Sequence, residues 1–243
     1  TTTQAPTTTT TTLAPTTTST TTQAPTTTTT TAGAGGSIAF AGNSWFTVPG
    51  SSDWAVGTGN FTVEWFQYQN NKGSENYIFD LGSSNTFAAS ISSNGKFNVY
   101  INGTKVSTQD AGTVNTNTWY HVAISRSGTT LNVYFNGTRI DSITNSSNIS
   151  DSSSTLYIGT MDGAGGTSDN FPGNITNFRF IKGTALYTGT SLVVPNSTLT
   201  AVANTKLLLL ASSSGTLLTD SSGTSKVVSN GGSLATYSTL KPF

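Results

Sequence analysis

From Ser37 onward, hydrophobic and polar positions alternate in short runs, each closed by Gly, Asn or Ser. SIAFA (37–41) and SWFTV (44–48) come first, followed by FTVEWFQYQ (61–69). Successive side chains of a strand point to opposite faces, so Val63 and Trp65 share one face of that run. Thr62, Glu64 and Phe66 share the other. NYIFDLG (76–82), TFAASIS (86–92) and KFNVYING (96–103) continue the pattern, and TKVST resumes directly after Asn102-Gly103. Such an interruption predicts a two-residue hairpin, because both central residues of that turn need positive φ. TWYHVAISR (118–126) and TTLNVYFNGTRIDSI (129–143) repeat the device around Asn136-Gly137. TLYIG (155–159), NITNFRFIKG (174–183) and TKLLLLA (205–211) complete the set. No window holds a helical period for three turns. About a dozen strands divided by Gly and Asn predict an all-β fold of two antiparallel sheets.

The first 31 residues obey a different rule: 21 are Thr, none is charged, and Pro6, Pro15 and Pro25 punctuate three similar units. β-branched Thr resists helix, and Pro excludes both helix and central strand. What remains is extended backbone at ~3.1–3.3 Å per residue, a reach on the order of 100 Å. AGAGG at 32–36 reads as a hinge, with one folded domain over 37–243. The arm has three readings: a free linker, a mucin-type stalk, or a segment docked on a neighbouring subunit. In the stalk reading, Thr7, Thr8, Thr9, Thr16, Thr17, Thr18, Thr26, Thr27 and Thr28 are the candidate O-glycosylated positions. In the docked reading, the contact is head-to-tail and propagates a homo-oligomeric fibre.

Composition narrows the setting. Charged residues are 8% of the chain, against roughly 25% in ordinary globular proteins. Ten basic and ten acidic side chains cancel, which argues against nucleic acid and anionic membrane as partners. No apolar run reaches spanning length, so no membrane insertion is expected. Cys is absent, and solubility rests on Ser, Thr, Asn and Gly, as in exported proteins. The chain begins at Thr1 without a Met or an apolar leader core, and reads as processed. Seven Asn-x-Ser/Thr sequons are present. Asn60, Asn145, Asn148, Asn174 and Asn196 are the N-glycosylation candidates, whereas Asn102 and Asn136 first serve hairpin geometry.

Three segments carry a family resemblance: SWFTVPGSSDWAVGTGNFTVEWFQYQ, NTWYHVAISRSGTTLNVYFNGTRIDS and STLYIGTMDGAGGTSDNFPGNITNFRFIKGTALYT. Over roughly 37–211 the chain resembles the laminin G-like group of concanavalin A-like lectin/glucanase jelly rolls. FRFIKGTALYT and KLLLL resemble modules of phage, algal-virus and microbial surface or fibre proteins. The resemblance implies a two-sheet sandwich with glycan or protein ligands at a loop rim, sometimes through calcium.

Chemistry is sparse. Glycoside cleavage needs two carboxylates a few ångströms apart, and FTVEWFQYQ offers only Glu64. His121 is the single histidine, inside a strand with Trp119 and Ala123 on its face, and its default role is structural. With no Cys and one His, zinc is excluded, and no enzymatic activity is expected. GTMDGAGGTSDNFPG (159–173) could gather oxygens for calcium through Asp162 and Asp169, with Asp80 and Asn170 as helpers. Of the four tryptophans, read chiefly as core or rim anchors, Trp54 in SSDWAVGTGN is the candidate sugar-stacking residue, provided it is exposed. The expected function is a structural subunit of an extracellular or virion-surface fibre. The alternative is a stalked module that binds cell-surface glycans.

Overall fold

The computed structural model describes residues 1, 35–73, 75–82, 85–110, 114–162 and 169–243. The expectations attached to the Thr-rich arm, its glycosylation and its docking, fall on residues outside these.

The strands form two antiparallel sheets. The first has the order β10 (Thr138–Thr144), β9 (Thr130–Phe135), β8 (Trp119–Ser127), β3 (Phe61–Gln69) and β12 (Pro172–Lys182). Along the far side of β12 run β1 (Ser37–Ala41), flanked by β15 (Thr236–Ser238), and β13 (Thr205–Leu209). The second has the order β14 (Ser229–Gly232), β2 (Ser44–Val48), β11 (Leu156–Ile158), β4 (Glu75–Leu81), β5 (Phe87–Ser92), β6 (Lys96–Ile101) and β7 (Thr104–Asp110). The two-sheet all-β class expected from the alternation is what the chain adopts. Both Asn-Gly hairpins form, with φ of +51° and +75° at Asn102-Gly103 and +48° and +87° at Asn136-Gly137.

The inner faces follow strand parity. Trp65 is buried between the sheets against Phe79 (centroids 5.7 Å), Phe97 (6.1 Å) and Phe178 (6.2 Å), drawing on both layers. Its indole N–H donates to Gln67 Oε1 at 2.8 Å, so the one polar atom of the ring is satisfied inside the core.

The outer face of the first sheet is closed by an irregular strap, residues 183–204. Glu64 and His121 have no exposed side-chain surface, and His121 Nε2 lies 3.1 Å from Glu64 Oε2. Arg179 approaches Glu64 Oε1 through Nη2 at 2.5 Å and Nε at 2.9 Å. From the strap, the Tyr187 hydroxyl donates to Glu64 Oε2 at 2.8 Å, and the Thr200 carbonyl accepts from Arg179 Nη1 at 2.6 Å. Burial alone would push the Glu64 carboxyl up, but the His121 hydrogen bond and the Arg179 charge hold it at about 2. Glu64 and His121 therefore take the structural role expected of His121.

Glu64→Gln leaves Arg179 buried without its counter-charge and should cost about 3–5 kcal/mol in denaturant unfolding. Because the folded carboxyl ionises below its ordinary value, its contribution is full above about pH 4.5 and is lost as pH falls toward about 2. The wild-type protein should lose stability across that window, and the Gln variant should show a flatter profile.

Candidate functional site

The outer face of the second sheet is set by the same parity rule. In β2, Phe46 and Val48 point into the core, which leaves Trp45 and Thr47 outside. In β11, Leu156 and Ile158 are buried and Tyr157 is half-exposed on the outer face. Tyr157 sits opposite Thr47 on one side and Asp80 on the other. Asp80 faces Ala88, and Ala88 faces Tyr100. A second row joins Tyr77 to Ser90 and Ser90 to Asn98. This face thus mixes aromatic rings with polar groups across five strands.

Its open half is built on Trp45. A Cβ at Gly231 would lie 2.0 Å from the Trp45 Nε1, and one at Gly232 would lie 2.4 Å from Cζ3. The indole therefore lies across both glycines of edge strand β14, its five-membered ring over Gly231 and its six-membered ring over Gly232. That packing protects a glycine-rich edge and fixes the ring in place. Trp45 as a whole is only partly buried.

The closed half is a polar nest. Tyr77 and Tyr100 stack with centroids 5.8 Å apart, and Met161 packs over them and Ala88. Glu75 Oε1 accepts from Ser90 Oγ (2.5 Å), Tyr100 OH (2.6 Å) and Asn98 Nδ2 (2.9 Å), with Lys105 Nζ at 3.5 Å. Although burial opposes it, these donors hold the Glu75 carboxyl below its ordinary range. Asn98 Nδ2 also donates to Ser92 Oγ at 2.8 Å, which fixes the amide orientation and turns Oδ1 away. Among the described residues of this nest, two buried oxygens, Asn98 Oδ1 and Asp80 Oδ1, have no hydrogen-bond partner. Asp80 has no exposed surface, and among the described residues its Oδ2 takes the Asp162 backbone N–H at 3.2 Å. Burial, with the nearby Asp162 charge, pushes its carboxyl up to about 8. Tyr77 is pushed up to about 12, chiefly by burial.

Several residues singled out in the sequence lie elsewhere than expected. Trp54 is fully buried, not a platform: its Nε1 donates to the Pro49 carbonyl at 3.0 Å and its ring meets Phe180 edge-on at 5.4 Å. Asn174 is buried in β12 with Nδ2 donating to Ser37 Oγ at 2.9 Å, and Asn145 is buried as well. A glycan on the Asn174 amide could not fit the folded sheet, while Asn145, just past β10, accepts from Ser147 N at 3.2 Å. Asn148 and Asn196 are exposed, and Asn60 is half-buried with Oδ1 accepting from Gly128 N at 2.8 Å. Among the described residues, no three Asp, Glu, His or Cys form a group that could hold a metal ion, and residues 163–168 of the calcium-candidate loop lie outside the described residues. Asp169 instead lends its backbone carbonyl to Tyr77 N at 2.9 Å.

Two antiparallel sheets, one outer face strapped and the other lined with aromatic and polar side chains, define a lectin-type β-sandwich. The chain belongs to the concanavalin A-like lectin/glucanases superfamily, whose Laminin_G_3 model it matches over residues 40–186. Its fold is similar to that of a Bacteroides ovatus ATCC 8483 protein proposed to bind carbohydrate. They share 17% identity and a TM-score of 0.58 over 82% of this chain and 60% of that one. A heptameric SAP-like pentraxin of Limulus polyphemus is 21% identical, with a TM-score of 0.48 over 60% of this chain and 76% of that one. Mouse laminin alpha1 domains LG4-5 are 15% identical, with a TM-score of 0.46 over 66% and 45%. Against Trypanosoma rangeli sialidase, the chain spans 20% of the longer protein. No curated protein matches the chain in sequence. Among the described residues, no helix is long and apolar enough to cross a membrane.

Trp54→Ala should cost about 3–5 kcal/mol, since it empties a core position, whereas Trp45→Ala should lower the thermal midpoint much less. Differential scanning calorimetry of the two variants checks the assignment of one ring to the core and the other to the surface.

Proposed function

We propose that this chain is an extracellular carbohydrate-binding module whose ligand lies on the outer face of the second sheet. The observation that carries the reading is Trp45, a partly buried residue whose indole is laid against Gly231 and Gly232 and held rigid without the help of a ligand. A pyranose ring presents an apolar face of C–H groups, and a fixed aromatic plane receives it at little entropic cost. Tyr157, diagonal to Trp45 across the β2–β11 pair, lies within reach of the same ligand. Thr47 and the polar nest beyond Asp80 supply hydrogen bonds for ring hydroxyls. Membership of a lectin/glucanase superfamily supports this reading. So does the fold shared with the Bacteroides ovatus protein. The one buried carboxylate of the opposite sheet, Glu64, is committed to Arg179, His121 and Tyr187.

A glycan array probed with the full chain, with and without calcium and with a chelator control, tests the proposal. Binding to at least one oligosaccharide class is expected. Trp45→Ala should weaken it about tenfold or more, by analogy with stacking worth ~1–3 kcal/mol per ring. Gly231→Val should weaken it similarly, because any side chain there displaces the indole. Wild-type silence toward every glycan, or undiminished binding by both variants, would reject the site.

A further inference from the structure

Building on the carbohydrate reading, we infer that the face selects neutral, hydroxyl-rich sugars and excludes acidic ones. The basis is the donor and acceptor balance of the polar nest. Three of its donors are already committed: the Tyr100 hydroxyl, the Ser90 hydroxyl and the Asn98 amide all point at Glu75 Oε1. Two oxygens of the nest lack a partner, Asn98 Oδ1 and Asp80 Oδ1, both in side chains with no exposed surface. Asn98 Oδ1 can only accept, whereas the Asp80 carboxyl, raised by burial, is protonated at neutral pH and can also donate. The Asn98 amide cannot flip to offer a donor without turning its oxygen toward the Glu75 carboxylate. A sugar hydroxyl satisfies Asn98 Oδ1 by donating, and it satisfies Asp80 in either protonation state, since it both donates and accepts. A carboxylate or sulfate can only accept.

Charge points the same way. Glu75 is ionised within this half of the face, and Asp162 and Asp169 lie beside it, next to Asp80 and Tyr77. Its nearby cation, Lys105, is engaged by Glu75 at 3.5 Å and lies over the Tyr100 ring at 5.1 Å. Lys96, at the far edge, stands directly opposite Asp110. An anionic sugar would meet acidic groups with no uncommitted lysine in the nest, and like-charge juxtaposition is a strong device for rejection. Met161 packs over the nest, and its unbranched side chain adapts to what it covers.

The experiment titrates the full chain, by calorimetry or array, with matched oligosaccharides that share a backbone and differ only in carrying none, a uronate, a sulfate or a terminal sialic acid. Measurements at low and at ~0.15 M salt separate screened repulsion from hydrogen-bond mismatch. The expected result is that neutral chains bind and each acidic counterpart binds at least about tenfold more weakly. Asp80→Asn should weaken neutral binding while holding or raising the thermal midpoint, because it removes a buried carboxyl. Equal or tighter binding of acidic chains overturns the selectivity and leaves the carbohydrate reading standing. Silence toward all of them overturns the carbohydrate reading and the selectivity with it. Neutral binding indifferent to Asp80→Asn overturns the role given to the nest.

Discussion

The fold depends on the indole of Trp65, which is enclosed by rings from both sheets. With 8% charged residues and no disulfide, the sandwich is held by apolar area between its layers. Aromatic side chains bury more of it per residue than any others. Placing Trp65 inward fixes the parity of β3, and the parity of β3 decides that Glu64 points outward on the same sheet. A charge in that position had to be paired, and Arg179 and His121 come from the two strands that flank β3. The strap is then fastened to the pair through Tyr187. One choice of which residues face inward thus propagates through the neighbouring strands to the covering loop.

Alternation made most of this legible. The faces of β3 and β8 are as the period-two pattern gives them, and the two Asn-Gly turns are where the left-handed backbone is needed. Strands β14 and β15 escaped because SNGG and TYS are too short and too poor in apolar residues to display a period. The tryptophans show where context overrode composition. SSDWAVGTGN has the makeup of a loop, yet Trp54 is drawn into the core by Phe180 and capped by Lys226 at 5.5 Å. Trp45 sits in a plain alternating strand, and its parity against Phe46 and Val48 could have placed it outside. Its support could not have been foreseen, since Gly231 and Gly232 lie some 186 residues further along the chain.

The acidic residues teach a related lesson. Asp162 and Asp169 drew attention through spacing in a glycine-rich loop, but the group with unmet bonding capacity is Asp80, hidden between Phe79 and Leu81 in a strand. A polar residue at an outward position of a buried-looking strand is a weak signal in one sequence. It becomes informative only when the cross-strand neighbours Tyr157 and Ala88 are known. The same register brings Asn98, Ser90 and Tyr100 around Glu75, from three strands that sequence alone cannot order laterally.

The strap over Glu64 has a consequence for valency. It covers the centre of one outer face, so under the proposed reading recognition by the sandwich is one-sided, with one ligand strip per chain. A single strip of stacked and hydrogen-bonded contacts gives modest affinity. Under that reading, strong attachment to a sugar-coated surface would come from displaying many copies together, where each binding event raises the effective concentration for the next.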